Sequence, residues 1–456
     1  MANDSFFDRR RTVATPTFNR WLVPPAALAI HLCIGQAYAF SVFNLPLSKL
    51  IGIKESAAGD WKLSTLGWVF SIAIVFLGVS AAVFGRWVER VGPRLAMFAA
   101  ACCFSGGFLV GALGIYTHQF WLLLGGYGVL GGTGLGLGYI SPVRTLINWF
   151  PDRPGMATGM AIMGFGGGAM IGSPLSVWLM GQFRTAGSMG VWETFVAMGL
   201  IYFAFMMFGV LTVRVPAPGW KPRGAAGGSG IRQVPAASNV EVNQSMRTPQ
   251  FWLLWWVLCL NVTAGIGVLG QASPMIQEVS HGAIKAAAAA GFVGLLSLAN
   301  MAGRFFWSST SDYIGRRATY TTFFVLGAAL YALVPTLGRL HTVALFVLAY
   351  VVILSMYGGG FATIPAYLRD MFGTMEVGAI HGRLLTAWSA AGILGPVLVN
   401  YIREYRIAQG VPKAEAYSVT MYVMAGLLVI GLICNLLVKA VDARHHYQAD
   451  SAQKAA

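Results

Sequence analysis

The sequence predicts an all-α membrane protein with twelve transmembrane helices in two six-helix, pseudo-symmetric halves. Three observations predict this fold class. The 456 residues are 56% hydrophobic and only 10% charged, with a mean hydropathy of +0.65, whereas a soluble domain carries about 25% charged residues. Twelve apolar segments are each long enough to cross a bilayer. The second six of these segments repeat features of the first six. A chain so poor in charge cannot cover a water-facing surface, so most of it must face lipid or itself.

Each apolar segment is predicted to be a helix, because an open strand leaves its backbone groups unsatisfied in lipid. Roughly 20 residues of helix span the hydrocarbon core. The predicted segments are 21–47, 64–84, 94–116, 120–149, 155–181, 190–213, 250–279, 286–309, 318–338, 341–369, 377–402 and 416–440.

The net charge of +15 comes mainly from Lys and Arg residues between the apolar segments. Of these residues, 19 fall on the side of the two termini and nine on the other. Excess positive charge marks the cytoplasmic side, so both termini are predicted to be cytoplasmic, in a multi-pass protein of the bacterial cell inner membrane. The basic start leads directly into a spanning segment, which predicts no cleavable signal peptide. The basic residues therefore indicate anionic lipid, not nucleic acid, as the partner.

The two halves are related by a constant shift of 223 residues. The shift predicts three domains: an N-terminal six-helix half (1–213), a cytoplasmic linker (214–248) rich in Pro, Gly and basic residues, and a C-terminal six-helix half (249–456). Parallel repeats of this kind place a substrate between the halves near the middle of the membrane. The shift pairs Glu89 with Asp312, Gly92 with Gly315, Arg94 with Arg317, Pro142 with Pro365, Gly155 with Gly378, Gly159 with Gly382 and Gly172 with Gly395.

A loop motif occurs once in each half. It consists of an acid, a glycine three residues later and an arginine two residues beyond the glycine. The acid can pair with basic residues and with a nearby helix end, and the glycine allows a tight turn. A simple basic anchoring loop is the alternative. The motif residues, predicted to act in gating, are Glu89, Arg90, Gly92 and Arg94 in the first copy and Asp312, Gly315 and Arg317 in the second.

The motif and five further stretches resemble the major facilitator superfamily, and more narrowly its oxalate/formate antiporter and monocarboxylate transporter branch. In that fold, helices 1, 4, 7 and 10 line the cavity, and the arginine of the Gly-Arg motif binds substrate. The resemblance implies this role for Arg304. The five stretches begin at Tyr38 (YAFSVF), Trp149 (WFPDR), Gly303 (GRFFW), Tyr357 (YGGGF) and Thr386 (TAWSAA).

Arg304 is also singled out by the charge pattern. All 16 Asp and Glu residues fall in loops, tails or the last turn of a predicted helix. Arg304 lies eight residues before Asp312, roughly 12 Å deeper in its helix, where an unpaired guanidinium costs at least about 3 kcal/mol. A transient anion is the natural partner, and the planar fork of Arg suits a carboxylate. Asn300 shares its helix face and is predicted to donate to the same ligand. The alternative is that Arg304 binds backbone carbonyls at a broken helix.

Two other arginines, Arg144 and Arg383, lie near the predicted cytoplasmic ends of their segments. We expect their side chains to snorkel to lipid phosphates.

Aromatic and polar side chains of segments 1, 4 and 10 are candidate walls of a binding site. A tyrosine hydroxyl can orient a carboxylate while its ring excludes water, although plain packing is the alternative for each. The candidates are Tyr357, Phe361, Tyr139, and Tyr38 with Gln36, with Gln271 as a weaker one.

The resemblance to oxalate exchangers fails at one position. Those proteins carry a second buried base, a lysine in helix 11, where this chain has Trp388. One buried charge suits one carboxylate, so a monocarboxylate is predicted. Arg383 is an alternative source of a second charge.

Coupling has no obvious carrier in the sequence. Because no acid is predicted within the membrane, the groups that titrate near neutral pH are His31, His281 and His381. A structural, hydrogen-bonded role is the alternative for each. Proton symport, exchange and uniport stay open.

Together these features predict a monomeric secondary active transporter of small carboxylate anions such as lactate, pyruvate or formate, working by alternating access. An oxalate:formate antiporter is the alternative, and an efflux pump for hydrophobic compounds a more distant one. The short polar linker argues against a membrane sensor. No nucleotide loop, nucleophile triad or metal-ligand cluster is present in the sequence, so we expect no enzyme activity, cofactor or metal.

Overall fold

The protein is described by a computed structural model over residues 6–222, 239–269, 272–280, 284, 286–340 and 342–447. Its regular secondary structure in these ranges is helical, apart from two isolated β-bridges. The all-α prediction is therefore confirmed.

Twelve long helical stretches run through the described residues. Eleven are long and apolar enough to cross a membrane. The other, α8, has 29 residues, and a helix of that length reaches about 43 Å. The helices are α1 (Arg20–Ala39), α2 (Thr65–Val91), α3 (Pro93–Tyr116), α4 (Phe120–Trp149), α5 (Pro154–Phe183), α6 (Val191–Thr212), α7 (Pro249–Leu269), α8 (Ala286–Ile314), α9 (Arg316–Arg339), α10 (Val343–Phe372), α11 (Val377–Ala408) and α12 (Lys413–Leu437).

Two single glycines separate consecutive helices in the motif regions. Gly92 joins α2 to α3 with φ +84°, and Gly315 joins α8 to α9 with φ +88°. Side chains disfavour this backbone region, so the predicted tight turns are confirmed. The motif acids differ from their prediction as loop residues: the helices continue through them, and they lie in the last turns of α2 and α8.

Helices α1–α6 and α7–α12 meet along two matching contacts. Helix α5 packs on α8, and α2 packs on α11. The repeat relates α2 to α8 and α5 to α11, so each contact joins a motif-bearing helix of one half to a helix of the other. Small residues permit the close approach: a Cβ atom on Gly382 would overlap the carbonyl oxygen of Ala81.

The two ends of the chain lie on one face of the helix bundle. Arg94, at the start of α3, donates to the carbonyl of Phe6, and the amide of Tyr447 donates to Asn239 beside the end of α10. We call this side, which also carries both motifs, the terminal face, and the opposite side the distal face. Helix α6 ends at Thr212 and α7 begins at Pro249. Part of the predicted linker, residues 223–238, lies outside the described residues, and the division into three domains stays a prediction.

Candidate functional site between the two halves

Arg304 lies at the interface of the two halves. Its side chain is fully buried. Within α8, its Nε donates to Oδ1 of Asn300 at 3.1 Å. Across the interface, its Nη1 donates to the carbonyl of Ile162 in α5 at 3.3 Å. Its Nη2 has no hydrogen-bond partner among the described residues. One arm of the guanidinium is thus held by the protein, and the hydroxyls of Tyr38 and Tyr139 lie close to the guanidinium.

Five aromatic rings from both halves enclose this guanidinium. Its central carbon lies 5.3 Å from the ring centroid of Phe361 and 5.7 Å from that of Phe165, within cation–π range. Phe361 packs on Trp388 at 4.4 Å between centroids. Tyr139 and Tyr38 pack on Trp388 at 5.5 Å and 6.3 Å. These rings shield Arg304 from water, which strengthens its attraction for an anion.

Two further polar atoms in this cluster are buried without partners. They are the hydroxyl of Tyr139 and Nε1 of Trp388, which, like Nη2 of Arg304, lack a hydrogen bond within the described part of the chain. Each can donate. With three donors that have no partner among the described residues, the cluster can bind a ligand that accepts hydrogen bonds.

The cluster carries one permanent charge. The hydrogen bonds and ring contacts given above link Arg304, among described residues, to neutral groups and to no Asp or Glu. The expectation that no carboxylate neutralises this guanidinium agrees with these contacts. The geometry therefore suits the binding of a small anion through Arg304.

On the terminal face, each motif acid binds the first turn of a helix in the opposite half. Asp312 accepts from the amides of Gly155 and Met156, at the start of α5, at 2.8 and 2.9 Å. Glu89 accepts from the amide of Gly378, at the start of α11, at 3.0 Å. A carboxylate is favoured at a helix N-terminus by the free amides and the helix dipole. The two contacts close the terminal face between the halves.

The same closure continues from the terminal face to Arg304. Arg369 donates to the carbonyl of Pro151 at 3.0 Å, and Thr158 donates to the carbonyl of Ala362 at 2.6 Å. Both bonds join the two halves. The cluster is therefore sealed from the terminal face.

On the distal side of Arg304, a pair of tyrosines from opposite halves covers the cluster. The hydroxyls of Tyr38 and Tyr357 lie 3.3 Å apart. Tyr357 is 2% exposed, whereas Tyr38 is partly exposed. We call this pair the tyrosine lid.

Comparison with known proteins gives the family of this bundle. The sequence matches the family described as Major Facilitator Superfamily over residues 19–396, with a second match over 288–455. The chain belongs to the Major Facilitator Superfamily. The resemblance inferred from the motifs is confirmed.

Curated relatives of this superfamily member include anion transporters. The chain is 27% identical over 381 residues to the oxalate:formate antiporter of Oxalobacter formigenes, covering 83% of each chain. It is 22% identical over 521 residues to apicoplast pyruvate carrier 1 of Toxoplasma gondii, covering 96% of this chain and 93% of that one. Monocarboxylate transporter 13 of Rattus norvegicus is 23% identical over 170 residues, which is 37% of each chain.

Solved structures of the superfamily share the fold. The proton:xylose symporter XylE has a TM-score of 0.69 at 16% identity, covering 95% of this chain and 98% of that one. The transporter FucP in its outward conformation has a TM-score of 0.65 at 13% identity, covering 92% and 100%.

Most of the binding residues predicted for this superfamily member meet in one cluster, but Gln36 does not. Its side chain donates to Ser176 and accepts from Tyr202, inside the first half. Gln36 and Tyr38 lie two residues apart in a 3₁₀ stretch, in which each residue turns by about 120°. The two side chains therefore point in different directions, and the prediction for Gln36 is corrected.

Asn300 also contacts Arg304 directly, and donation from its amide nitrogen to a ligand stays a prediction. Its Oδ1 accepts from Arg304 and so holds the guanidinium in place. The alternative prediction is that Arg304 binds backbone carbonyls. One such bond is present, because Nη1 of Arg304 donates to the carbonyl of Ile162.

The snorkelling predicted for Arg144 and Arg383 is wrong. Arg144 forms an ion pair with Glu89, and its side chain is only 16% exposed. Arg383 donates to the carbonyl of Val242 and to Asn243, in the segment before α7. It therefore does not supply a second charge to the cluster. Gln271 and His281 lie outside the described residues.

The motif arginines do not pair with the motif acids. Asp312 pairs with Arg316 at 2.6 Å, whereas Arg317 donates to the carbonyl of Leu436. Arg94 binds the N-terminal segment through Phe6, and Arg90 is exposed.

Phe165 is a site residue that the sequence argument missed. Its ring contacts Tyr38, Tyr139 and Trp388 at 5.0, 5.6 and 5.4 Å. A lone Phe in a glycine-rich helix carries no polar signal. The repeat could have found it, because the shift of 223 residues pairs Phe165 with Trp388.

Proposed function

We propose that this protein is a secondary active transporter of small carboxylate anions, most specifically monocarboxylates such as lactate, pyruvate or formate. The observation that carries the proposal is the buried Arg304, with one free arm and no acidic partner among its described contacts. A substrate carboxylate accepts from Nη2 of Arg304 and from the nearby free donors of Tyr139 and Trp388.

Alternating access follows from the position of Arg304. The guanidinium belongs to α8 of the second half but already bonds to Ile162 of the first. An anion on its free arm also reaches donors of both halves, since Tyr139 lies in α4 and Trp388 in α11. Binding thus favours closure of the halves over the site, because it neutralises a charge that closure buries. Rocking of the halves then exposes the site to the other face.

The gates for this cycle are the two sets of contacts between halves. Release at the terminal face requires the bonds of Asp312 and Glu89 to the opposite halves to break. Release at the distal face requires the tyrosine lid to part. We place the terminal face in the cytoplasm of a bacterial inner membrane, because the basic residues are concentrated there, and we propose that the working unit is a monomer.

An oxalate:formate antiporter is the second candidate, and the 27% identical relative of that name favours it. The charge of the cluster argues for one carboxylate instead. A dianion needs two cationic partners, and Trp388 occupies the position where the resemblance places a lysine. A site for one carboxylate is compatible both with exchange of one monocarboxylate for another and with proton symport.

An efflux pump for hydrophobic cations is a weaker candidate. Such a cargo calls for a buried acid, whereas the contacts of the described cluster supply a cation and neutral donors. The names of the relatives also concern anions.

The test is uptake of labelled lactate, pyruvate, formate and oxalate into proteoliposomes, with and without an inward proton gradient. Wild type is expected to take up a monocarboxylate, and Arg304→Ala to lose that uptake. Arg339→Ala is the matched control, since Arg339 is exposed at the end of α9. Uptake of oxalate alone, only against internal formate or oxalate, establishes the antiporter. Uptake of no carboxylate contradicts the proposal.

A further inference from the structure

We propose that His31 and His381, with Tyr139 between them, form a proton-binding site that is loaded together with the substrate anion. The proposal rests on the proposed function, because the anion on Arg304 is what links the two binding events. It assigns the coupling proton to histidines in a transporter whose described central cluster contains no carboxylate partner for Arg304.

The three side chains form a continuous buried row across the interface of the halves. His31 comes from α1, Tyr139 from α4 and His381 from α11. The ring centroids of His31 and Tyr139 lie 5.3 Å apart, and those of Tyr139 and His381 lie 5.8 Å apart. His31 and Tyr139 are fully buried, and His381 is 1% exposed.

The hydrogen bonds of His31 show which nitrogen can take up a proton. Its Nδ1 lies 3.2 Å from the carbonyl of Ala27. A carbonyl only accepts, so in the neutral ring Nδ1 carries the hydrogen and Nε2 has a free lone pair. This Nε2 has no partner among the described residues, and the same holds for Nε2 of His381 and the hydroxyl of Tyr139. Nε2 of His31 can therefore take up a proton, and the hydroxyl oxygen of Tyr139 beside it can accept a hydrogen bond from the imidazolium.

The charged and titratable groups around His31 come from a small number of helices. Arg304 of α8 is a permanent cation within electrostatic range, and His381 of α11 is also in range of His31. Helix α4 contributes Tyr139. Helix α5 contains no titratable residue, and in α6 the tyrosine Tyr202 is bound to Gln36. The charge that acts on His31 is therefore that of Arg304.

This charge links proton and anion binding. Burial and a neighbouring positive charge both disfavour protonation of an imidazole, so the empty site keeps His31 neutral. A carboxylate on Arg304 cancels the positive charge, and protonation of His31 becomes easier. By linkage, the proton raises the affinity for the anion by the same factor. Couplings of this kind amount to about 5- to 150-fold.

The row lies on the terminal side of the anion site. On α11, His381 precedes Trp388 by seven residues, about 10 Å along the helix. His381 lies three residues after Gly378, whose amide donates to Glu89 of the other half. Opening of the terminal gate separates Glu89 from Gly378 and gives water access to His381. Proton and anion are thus released to the same face, which is symport.

Two measurements test the proposal on the full-length protein. The first is lactate transport in proteoliposomes, as accumulation driven by an inward proton gradient and as lactate:lactate exchange at equal pH. The second is proton uptake by the purified protein when lactate is added in weakly buffered solution at pH 7.5, followed with a pH indicator. Pyruvate and formate are run in parallel in both. The variants are His31→Gln and His381→Gln, and the control is His118→Gln, whose imidazole lies outside the membrane spans and contacts the carbonyl of Gly59 at 3.0 Å.

The proposal predicts gradient-driven accumulation and anion-dependent proton uptake for wild type and His118→Gln. In His31→Gln and His381→Gln, gradient-driven accumulation and proton uptake both fall at least about 5-fold. Both variants retain lactate:lactate exchange, which shows that they fold and bind the anion. Retained gradient-driven accumulation in both histidine variants contradicts the histidine site while the proposed function stands. The histidine site is also contradicted if the wild type exchanges lactate but takes up no proton when lactate is added. If wild type transports none of the three anions, the proposed function fails first.

Discussion

Asp312 accepts a hydrogen bond from the backbone amide of Gly155 at 2.8 Å, and this bond joins the last turn of α8 in one half to the first turn of α5 in the other. The repeat places Glu89 against Gly378 in the same way, at 3.0 Å. The two acids and the two glycines are partners under the shift of 223 residues, so the contact between the halves on the terminal face, the proposed gate, is built twice from one motif.

Removal of the charge of Asp312 is expected to weaken this gate. Hydrogen bonds to charged groups contribute about 1.5–3 kcal/mol each, so Asp312→Asn should shift the population toward the state open at the terminal face by at least about tenfold. The measurement is the distance between spin labels at the exposed positions Arg90 and Tyr313, with the native cysteines replaced. Asp442→Asn, an exposed acid on the same face, is the control. Unchanged distances for Asp312→Asn contradict the gate.

A second cation in the cluster is expected to change substrate preference. Trp388→Lys places an ammonium group among the rings near Arg304, where a dianion can neutralise both charges. The ratio of oxalate to lactate uptake should rise at least about tenfold, which corresponds to 1.4 kcal/mol. Trp388→Phe keeps a ring against Phe361 and adds no charge, so it should not gain oxalate transport. A Trp388→Lys protein that still prefers lactate would show that charge count does not set specificity.

The tyrosine lid is expected to contribute to affinity. Tyr357→Phe removes one hydroxyl of the pair, at a cost of about 1 kcal/mol, and the KM for the transported carboxylate should rise about fivefold. Initial rates of uptake over a range of substrate concentrations give this value. Tyr401→Phe, at an exposed position of α11, should leave KM unchanged. Equal KM values for both variants argue against a lid at this position.

A loop on the distal face has a predicted pH dependence. Asp60 accepts from the amides of Ile51, Gly52 and Ala57 at 2.8, 3.1 and 2.8 Å. Partial burial alone raises the pKa of Asp60, but these amides, with a contribution from His118, outweigh it and lower the pKa below its ordinary value. The folded pKa is depressed, so the stabilisation is present above the unfolded pKa of about 3.9. It is lost as pH falls through the lower folded value.

Asp60→Asn should therefore loosen this loop at pH 7, and trypsin should cut it faster, at Lys49, Lys54 or Lys62. Glu55→Gln, an exposed acid in the same loop, is the control. In the wild type, hydrogen-exchange protection of the three amides should persist down to about pH 4 and disappear below it. Protection that disappears well above pH 5 contradicts the assignment.

The sequence predicted the fold because membrane helices leave a strong apolar pattern and because the halves repeat. It also pointed to Arg304 as a candidate site residue, since a guanidinium eight residues before the motif acid Asp312, deep in its helix, requires a partner. The turns at Gly92 and Gly315 followed from spacing alone, as only glycine adopts positive φ there without strain.

Other features depend on contacts between distant segments, which spacing does not show. The partner of Arg144 is Glu89, on a different helix, so the arginine appeared to face lipid. The partners of Gln36 lie in α5 and α6. Phe165 acts through its ring, and its significance depends on what packs around it.

The most direct test of the central claim is calorimetric titration of lactate into purified wild type and Arg304→Gln, with Arg339→Gln as control. Truncating one partner of a buried charge pair costs about 2–5 kcal/mol. The affinity of Arg304→Gln is therefore expected to fall at least about thirtyfold, with that of Arg339→Gln unchanged. A Kd for Arg304→Gln equal to that of a wild type that binds lactate would contradict anion binding by Arg304.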